Sequence, residues 1–398
     1  DPLSIEEVYL KDTEDYDLVI EKDINKPFNF AAEYPIRAKF YVIESSANKS
    51  SSKILLLINR HHIASDGWSI GIFQKELLAF YEAYVNKDLT FSIPALEIQY
   101  KDYSQWQRSY LVGNVLEKQL NHWKNKLSGY QTLEFPTDYP RPIKTDYRGA
   151  DQWFKIDKEI SQKLHALTQR CGVTLNSVLL SGINILLNKY TGQEDITIGS
   201  PIANRHHKQT EELIGFFVNT QVSRAQLNST QSFEELILAT HKDQIEAQLH
   251  QDISFEKLVA ELGIERDASR HPIFQIMFSV RSFDDHEKKS GLQKNYFKPY
   301  QINEAYQNAR FDLSITIDDS GEELLGLINY ATSLFHEETI TKFNQRYLHL
   351  LEQLIENPSK PYSEISLLSS DEYNQVVYDW NATSKVYSKN KSVIDIFE

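Results

Sequence analysis

The chain has 398 residues, a formal net charge of -14 at pH 7, 41% hydrophobic residues and 12% aromatic residues. This length corresponds to about two to three domain-sized units, and the apolar content is enough to fill sizeable cores. The acidic balance argues against nucleic acid and anionic membrane surfaces as partners, because both select basic patches. The sequence has no apolar run of about eighteen residues and no cationic signal peptide, so neither a membrane span nor secretion is expected.

Cysteine usage and the first residue give two further expectations. Cys171 is the only cysteine, so an internal disulfide is excluded and a reducing cytoplasm is expected. Gly172 after it indicates a turn, and we expect Cys171 to be an inert structural residue rather than a nucleophile. The chain begins with Asp1 and not with Met, and we expect it to be an excised or processed piece.

A hairpin is predicted near the N-terminus. Residues 35–43 alternate between apolar and polar types, residues 47–52 form a Ser-rich turn, and a strand follows at residues 53–59. The centre of that second strand, residues 54–58, is an unbroken apolar run. Such a run predicts a strand that is covered on both faces.

The turn after this strand has the sequence RHHIASDGWS, from Arg60 to Ser69. Apolar residues then recur three and four positions apart, which predicts a helix that begins with Ser65 or Asp66 as its N-cap. The predicted inward stripe consists of Ile70, Phe73, Leu77, Phe80 or Tyr81, and Tyr84. Two histidines therefore lie at the carboxyl end of a strand, where open α/β sheets place their ligands.

The chemistry of this turn leaves three interpretations open. One imidazole could accept a proton near pH 7 while the other, His61 or His62, supports the turn. Asp66 could fix an imidazole tautomer or pair with an arginine, and Gly67 leaves room for a substrate to approach the backbone. A solvated surface turn and a metal site of His, His and Asp are the alternatives.

The remainder of the chain alternates helices and strands. Residues 100–107 form an aromatic patch that predicts a helix packed on the core, and residues 116–127 a helix with Trp123 inward. The Pro-rich segment 135–142 is predicted to be a linker between lobes. Strands are predicted at 152–156, 273–280 and 324–330, and a core strand that runs into a turn at 195–205. Helices are predicted at 161–170, from Thr174 to Gly192, from Ser232 to Leu249, and before Pro358. Residues 282–300 are expected to form a mobile excursion.

Six segments, in order along the chain, carry a resemblance to a known family. They are HHIASDGWS from His61, YKDYSQWQ from Tyr100, IGFFVNT from Ile214, HQDISFEKL from His250, RDASRHPIFQ from Arg266, and the tail YDWNAT from Tyr378. Together they are similar to the condensation domains of nonribosomal peptide synthetases, within the superfamily that includes chloramphenicol acetyltransferase. The concordant order makes this resemblance more specific than a single motif would be. The family's Arg-His-Glu motif is not found upstream of His61, which puts the usual arginine partner of Asp66 in doubt.

The resemblance implies an α/β fold of two chloramphenicol acetyltransferase-like lobes, each an α+β two-layer sandwich, arranged as a V-shaped pseudo-dimer. The expected divisions are an N-terminal lobe at 1–135 that is incomplete at its start, a C-terminal lobe at 136–370, and a linker towards an adenylation domain at 371–398. The resemblance also implies amide formation between a donor acyl or peptidyl thioester and the amine of an acceptor aminoacyl thioester, in a tunnel between the lobes. Phosphopantetheine arms of upstream and downstream carrier domains would deliver both, with no bound cofactor and no metal. We expect a monomer within a multidomain synthetase.

In this interpretation His62 orients the amine and takes its proton, while positioning supplies the larger part of the rate. The expected catalytic residues are His61, His62, Asp66 and Gly67. The expected substrate-binding residues are Trp68, Ser69, Asn219 and Arg310. A non-catalytic carrier-docking fragment and an epimerisation domain of the same superfamily remain as alternatives; a hydrolase is disfavoured because no Gly-x-Ser-x-Gly elbow is present.

Overall fold

The computed structural model describes residues 4–46, 52–265, 267–281, 297–298, 300, 308–385 and 392–397. The predicted excursion at 282–300 lies almost entirely outside the described residues. The described residues form two separate sheets, one of three strands and one of six, each packed with helices. The predicted mixed α/β organisation with two sheets is therefore confirmed.

The smaller sheet is built from the N-terminal part of the chain. Its elements are β1 (Ile5–Lys11), α1 (Tyr16–Ile24), β2 (Ile36–Glu44), β3 (Ser52–Arg60) and α2 (Gly67–Val85). Strand β1 runs parallel to β2, and β3 pairs antiparallel with β2, so the predicted antiparallel strand pair is confirmed. The predicted Ser-rich turn at 47–52 lies, except for its last residue, outside the described residues. The prediction that β3 is covered on both faces is wrong. It lies at the edge of the described sheet order, and Ile54 is 63% exposed.

Helix α2 has the predicted length and the predicted N-cap, Asp66. However, its buried residues are Ser69, Ile72 and Ala83, not the predicted stripe. Tyr84, in that stripe, is 80% exposed. Apolar residues lie all around this helix, so their recurrence three and four positions apart does not determine which face is buried. The buried face is instead determined by the contacts of Ser69, which are described below.

Two helices that precede the predicted linker pack on the larger sheet. They are α3 (Tyr100–Tyr110) and α4 (Gly113–Leu127). The predicted inward position of Trp123 in α4 is confirmed, since its side chain lies in a core with Val222 and Phe274. Tyr103 of α3 packs with Leu213 and Phe217, as expected for a helix on the core. The lobe boundary at residue 135 stays a prediction. Both helices contact the part of the chain that is built around the six-stranded sheet, and this part is called the second lobe below.

The larger sheet is built from the remainder of the chain. Its elements are β4 (Gly149–Ile156), α5 (Lys158–Cys171), α6 (Leu175–Thr191), β5 (Asp195–Ile202), β6 (Asn219–Gln226), α7 (Phe233–Gln248), α8 (Phe255–Glu261), β7 (Ile276–Arg281), β8 (Leu313–Asp318), β9 (Leu324–Ala331) and α9 (Glu337–Glu356). The strand order is β4-β9-β8-β7-β5-β6. The pairs β5–β7 and β7–β8 are parallel and the other three are antiparallel.

Local signals in the sequence set the ends of these helices. Thr174 caps α6 by accepting from Ser177 N–H, and Gly192 ends it with a left-handed φ of 71° that glycine adopts without strain. Ser232 and Glu235 form the predicted capping box of α7. Helix α6 is almost wholly buried between α5, α7, α9 and the sheet. It is therefore the centre of the larger core.

In the described part of the chain after α9, two short α-helices are present. They are α10 (Ser370–Asn374), which leads into a π-helical turn at Gln375–Asp379, and α11 (Val393–Phe397). Across the described ranges, no single helix is long and apolar enough to cross a membrane. The bent pair formed by α5 and α6 would be long and apolar enough to span a membrane, judged by length and composition alone. Since α6 is the buried core helix, packing explains its apolar character.

Candidate active site

The histidine pair lies on a tight turn between β3 and α2. His61 N–H donates to Pro35 C=O (2.9 Å), which continues the pairing of the hairpin by one residue. Residues His62–Ala64 then form one turn of 3-10 helix. The turn reverses the chain so that α2 begins immediately behind the histidines.

The two histidines have different surroundings. The His61 ring packs edge-on against Phe28 and Phe30, with centroid distances of 5.8 and 4.7 Å, and its Nδ1 accepts from Ile63 N–H. His61 is therefore held as part of the turn. Both residues are exposed, and the His62 ring stands perpendicular to the Phe216 ring at 5.1 Å. Of the pair, His61 has its Nδ1 occupied within the turn, so His62 is the better placed imidazole for a contact with a ligand.

Asp66, in contrast to the two histidines, is buried and only 3% exposed. Its Oδ1 accepts from the backbone N–H and the hydroxyl of Ser69 at 2.9 and 2.7 Å. Its Oδ2 accepts from the N–H groups of Phe217 and Val218 at 3.0 and 3.2 Å. Asp66 thus caps α2 and also binds the backbone of the loop before β6, in the second lobe.

The arginine partner of Asp66 is Arg205, in the turn after β5. Its Nη2 lies 3.2 Å from Oδ1 and 3.4 Å from Oδ2, and both side chains are almost completely buried. The other guanidinium nitrogen, Nη1, donates to the carbonyls of Thr210 and Leu213. The doubt raised by the missing upstream motif is therefore resolved by an arginine of the second lobe.

Burial alone would raise the pKa of Asp66, because a buried carboxylate loses its hydration. The hydrogen bonds from Ser69, the charge of Arg205 and the Phe217 N–H outweigh burial, so the pKa of Asp66 lies below its usual value. Burial lowers the pKa of Arg205 against the opposing effect of Asp66. An arginine stays protonated even so, because its ordinary pKa exceeds about 12. The pair is therefore ionised at neutral pH.

Ser69 and Trp68 contact the second lobe, although both were predicted to bind substrate. The Ser69 hydroxyl is fully buried and accepts from Arg205 Nη2 (3.0 Å) and Gly215 N–H (3.1 Å). A substrate cannot reach it without unpacking α2, so the structure gives the prediction for Ser69 no support. Trp68 is 41% exposed, and its Nε1 donates to Glu211 C=O (2.8 Å). A substrate contact for Trp68 stays a prediction.

Asn219 is the first residue of β6, directly after the loop that Asp66 binds, and Arg310 precedes β8. The Asn219 amide donates to the carbonyls of Gln251 and Ile253 and accepts from the N–H groups of Thr220 and Phe255. The amide nitrogen and oxygen of Asn219 are therefore both engaged within the fold, and neither is free to make the predicted hydrogen bond to a substrate. Arg310 is exposed beside a cleft of about 20 Å³ that also contains the Arg141–Asp312 ion pair. Its role in substrate binding stays a prediction.

Gly67 opens α2 at the surface. A Cβ built on it would meet no heavy atom within 4 Å. At Gly215 in the facing loop, by contrast, a Cβ would lie 2.3 Å from a ring carbon of Tyr100. Space is therefore available at Gly67, while the loop that Asp66 binds is closely packed. Within the part of the chain that the structure describes, no group of three or more His, Cys, Asp or Glu side chains is arranged to hold a metal ion.

The family model described as "Condensation domain" matches residues 2–377. The chain belongs to the condensation-domain family. It is 39% identical over 350 residues to a linear gramicidin synthase polypeptide of Brevibacillus parabrevis, covering 87% of this chain and 7% of that protein. It is 36% identical to gramicidin S synthase 2 of Aneurinibacillus migulanus, covering 88% of this chain and 8% of that protein. The chain thus spans less than a tenth of these relatives.

Solved structures agree on the fold. The X-domain from teicoplanin biosynthesis superposes with a TM-score of 0.78 at 22% identity, covering 92% of this chain and 82% of that one. A four-domain nonribosomal peptide synthetase superposes with a TM-score of 0.76 at 21% identity, covering 93% of this chain and 28% of that one. The predicted condensation-domain family and its chloramphenicol acetyltransferase-like fold are confirmed. Peptide bond formation by acyl or peptidyl transfer is the function of the family to which the chain belongs.

Two features of the site were missed in the sequence. Arg205 lies in a predicted strand-to-turn segment but was given no role, although an arginine at the carboxyl end of a core strand is a recognisable candidate for an ion pair. Phe216 lies in the segment IGFFVNT, which was singled out only as a whole. No local pattern shows that its ring meets His62, because the two residues are far apart in the chain.

Proposed function

We propose that this condensation domain joins a donor acyl or peptidyl thioester to the α-amine of an acceptor aminoacyl thioester, with His62 orienting the amine and accepting its proton. The observation that carries this proposal is the contrast within the pair: both residues are exposed, but His61 uses its Nδ1 to accept from Ile63 N–H within the turn, whereas the His62 ring packs on Phe216 across the two sheets. The buried contacts of Asp66 and Arg205 fix the backbone from which His62 projects.

The proposed reaction does not need a strong base. An α-amino group has a pKa near 8, so a fraction of it is already neutral at pH 7. A positioned base adds about 10²–10⁴-fold, and holding amine and thioester together lowers the barrier by roughly 7–11 kcal/mol. Positioning is thus the larger contribution, which suits a site whose surrounding loops are fixed by the Asp66–Arg205 ion pair.

The proposal includes the partners. Phosphopantetheine arms of upstream and downstream carrier domains would deliver the two thioesters, and an adenylation domain would adjoin the chain in a monomeric, cytoplasmic synthetase. The synthetase relatives support this context, since the chain covers only 7–8% of the length of two of them. The domain itself needs no bound cofactor for this reaction, because the thioester already activates the acyl group.

The test supplies an aminoacyl pantetheine thioester as donor and a second one as acceptor. A dipeptidyl thioester detected by mass spectrometry is the expected product, and an acceptor with a hydroxyl in place of its α-amine is the control that should give no amide. Absence of amide from a folded protein would favour the docking fragment instead. Exchange of the donor's α-hydrogen in deuterated water, without amide, would favour epimerisation.

A further inference from the structure

Phe216 is the residue of the second lobe whose ring contacts His62. The two rings are perpendicular, at an interplanar angle of 90°, with centroids 5.1 Å apart. Edge-to-face geometry of this kind is the arrangement that aromatic rings prefer, because the positive edge of one meets the negative face of the other. The contact joins the turn after β3 to the loop before β6, and so crosses between the two sheets.

The backbone on both sides of Phe216 is fixed by the N-terminal part of the chain. Gly215 N–H donates to Ser69 Oγ (3.1 Å), and the N–H groups of Phe217 and Val218 donate to Asp66 Oδ2. The carbonyl of Phe216 itself accepts from the Tyr100 hydroxyl at 2.8 Å. Each of the four consecutive residues 215–218 thus makes a backbone hydrogen bond to the N-terminal part of the chain. These hydrogen bonds fix the backbone from which the Phe216 side chain projects.

The burial of the neighbouring rings separates Phe216 from ordinary core packing. Phe217 is 2% exposed and packs on the Arg205 guanidinium at 4.1 Å, whereas Phe216 is 40% exposed. A half-exposed phenylalanine contributes little to the core. Its defined contact is with an exposed histidine that would otherwise rotate freely about its side-chain torsions.

We infer that Phe216 is a positioning residue that holds the His62 imidazole in the orientation needed for coupling. This inference rests on the proposed function of His62. It couples the reaction to the packing of the lobes, because Phe216 is placed by the same hydrogen bonds that Asp66 and Ser69 make across them. Replacement of the ring leaves His62 present but free to rotate, which lowers the rate of the bound complex rather than the affinity for the acceptor.

The test compares Phe216→Leu, which has no ring, with Phe216→Tyr, which retains one, in single-turnover dipeptide formation. Phe216→Leu should lower the maximal rate constant about tenfold, as expected for a misplaced catalytic group, with an unchanged half-saturating concentration of acceptor. Phe216→Tyr should stay within about twofold of the wild type, since the edge-to-face contact persists. The melting temperature of both variants should match the wild type, because the ring is 40% exposed.

The imidazole of His62 provides a second readout that does not depend on activity. Its ¹⁵N and ¹H signals, assigned by their loss in His62→Ala, should shift in Phe216→Leu and remain in place in Phe30→Ala, which removes a ring from His61 instead. A full rate in Phe216→Leu, or a raised acceptor requirement with a full rate, would overturn the inference. If His62→Ala is itself fully active, the proposed role of His62 fails; if it is inactive while Phe216→Leu is not, only the positioning role fails.

Discussion

Asp66 makes contacts with both parts of the molecule. One carboxylate oxygen binds Ser69 in its own helix, and the other binds two N–H groups of the second lobe. Removing one partner of a buried ion pair typically costs about 3–5 kcal/mol, because the remaining charge is left without compensation. Loss of a side chain that acted only as an N-cap would lower the free energy of unfolding by only about 0.5–2 kcal/mol. The buried partner Arg205 therefore favours the larger value.

We predict that Asp66→Ala destabilises the protein by more than about 2 kcal/mol, the upper end expected for a cap. Asp66→Asn should cost less, since it retains an oxygen. Both should also slow coupling. A matched control is Asp195→Asn, which breaks an ion pair with Arg224 inside the second lobe; it should lower stability without slowing coupling. A stable, fully active Asp66→Ala protein would show that Asp66 is not an anchor.

The same contacts predict the response to acid. Since the pKa of Asp66 is lowered in the folded state, the stability from its charge is present above the unfolded pKa of about 4 and is lost as pH falls through the lower folded pKa. The difference in melting temperature between wild type and Asp66→Asn should therefore narrow in this acidic range.

Gly67 tests access to the turn rather than its stability. Open space surrounds the position where its side chain would begin, so Gly67→Leu should fold normally by circular dichroism while narrowing the acceptor path. Coupling should slow, and more so for large acceptors than for small ones. Equal rates with large acceptors would remove Gly67 from the acceptor path. Gly67→Ala, which adds one carbon into the same space, serves as the control.

Among the elements, the contact between α4 and α7 contains buried ionisable groups that the proposed mechanism does not use. His122 of α4 stacks on His250, just beyond α7, at 3.9 Å, and Lys126 pairs with Asp243 at 2.6 Å. Burial, then His250 and Lys126, lower the pKa of His122 to about 4, while Glu246 opposes them. His122 is therefore neutral at pH 7.

This lowered pKa predicts acid sensitivity of the α4–α7 contact. The unfolded chain binds a proton at His122 near pH 6.5 and the folded protein only near pH 4, so stability from this group is full above pH 6.5 and is lost as pH falls towards 4. His122→Phe keeps a ring on His250 but cannot titrate. Its melting temperature should fall less than the wild type's between pH 7 and pH 5, by roughly 2 °C or more. Equal falls in both proteins would contradict this.

Local signals predicted the elements well and their environments less well. The caps Thr174, Gly192 and Ser232 depend on residues next to the helix they end, so the sequence alone was sufficient. The edge position of β3 and the buried face of α2 depend on which strands and loops come to lie beside them. The partner of Asp66 was missed for the same reason: Arg205 is distant in the chain, and no local spacing connects the two.

At the scale of the whole molecule, the two sheets have cores of unequal size. The core beside the N-terminal sheet contains the buried residues Leu10, Ile20 and Tyr41. The core around α6 is much larger and includes buried residues from several helices and strands of the six-stranded sheet. Smaller buried cores open at lower free energy. The Asp66–Arg205 pair and the packing of α3 and α4 then connect the smaller part to the larger.

Hydrogen exchange should resolve this difference. Backbone amides of β2 and β3 should exchange faster than those of α6, and Asp66→Asn should speed exchange in β3 and α2 while leaving α6 unchanged. Asp195→Asn again provides the control, because its ion pair lies within the larger lobe. Equal exchange rates in both sheets would contradict this expectation. So would an increase in exchange caused by Asp66→Asn that is spread evenly over the chain instead of being confined to β3 and α2.

The central claim is that His62, and not His61, acts on the acceptor amine. Single-turnover dipeptide formation at saturating donor and acceptor thioester, measured side by side for His62→Ala and His61→Ala, tests it most directly. His62→Ala should keep the wild-type melting temperature and lose about a hundredfold or more in rate, within the range of a positioned base. His61→Ala should lower the melting temperature, since its ring packs on Phe28 and Phe30, and lose much less rate. Near-normal coupling by His62→Ala, or an equal loss in both variants, would contradict the account.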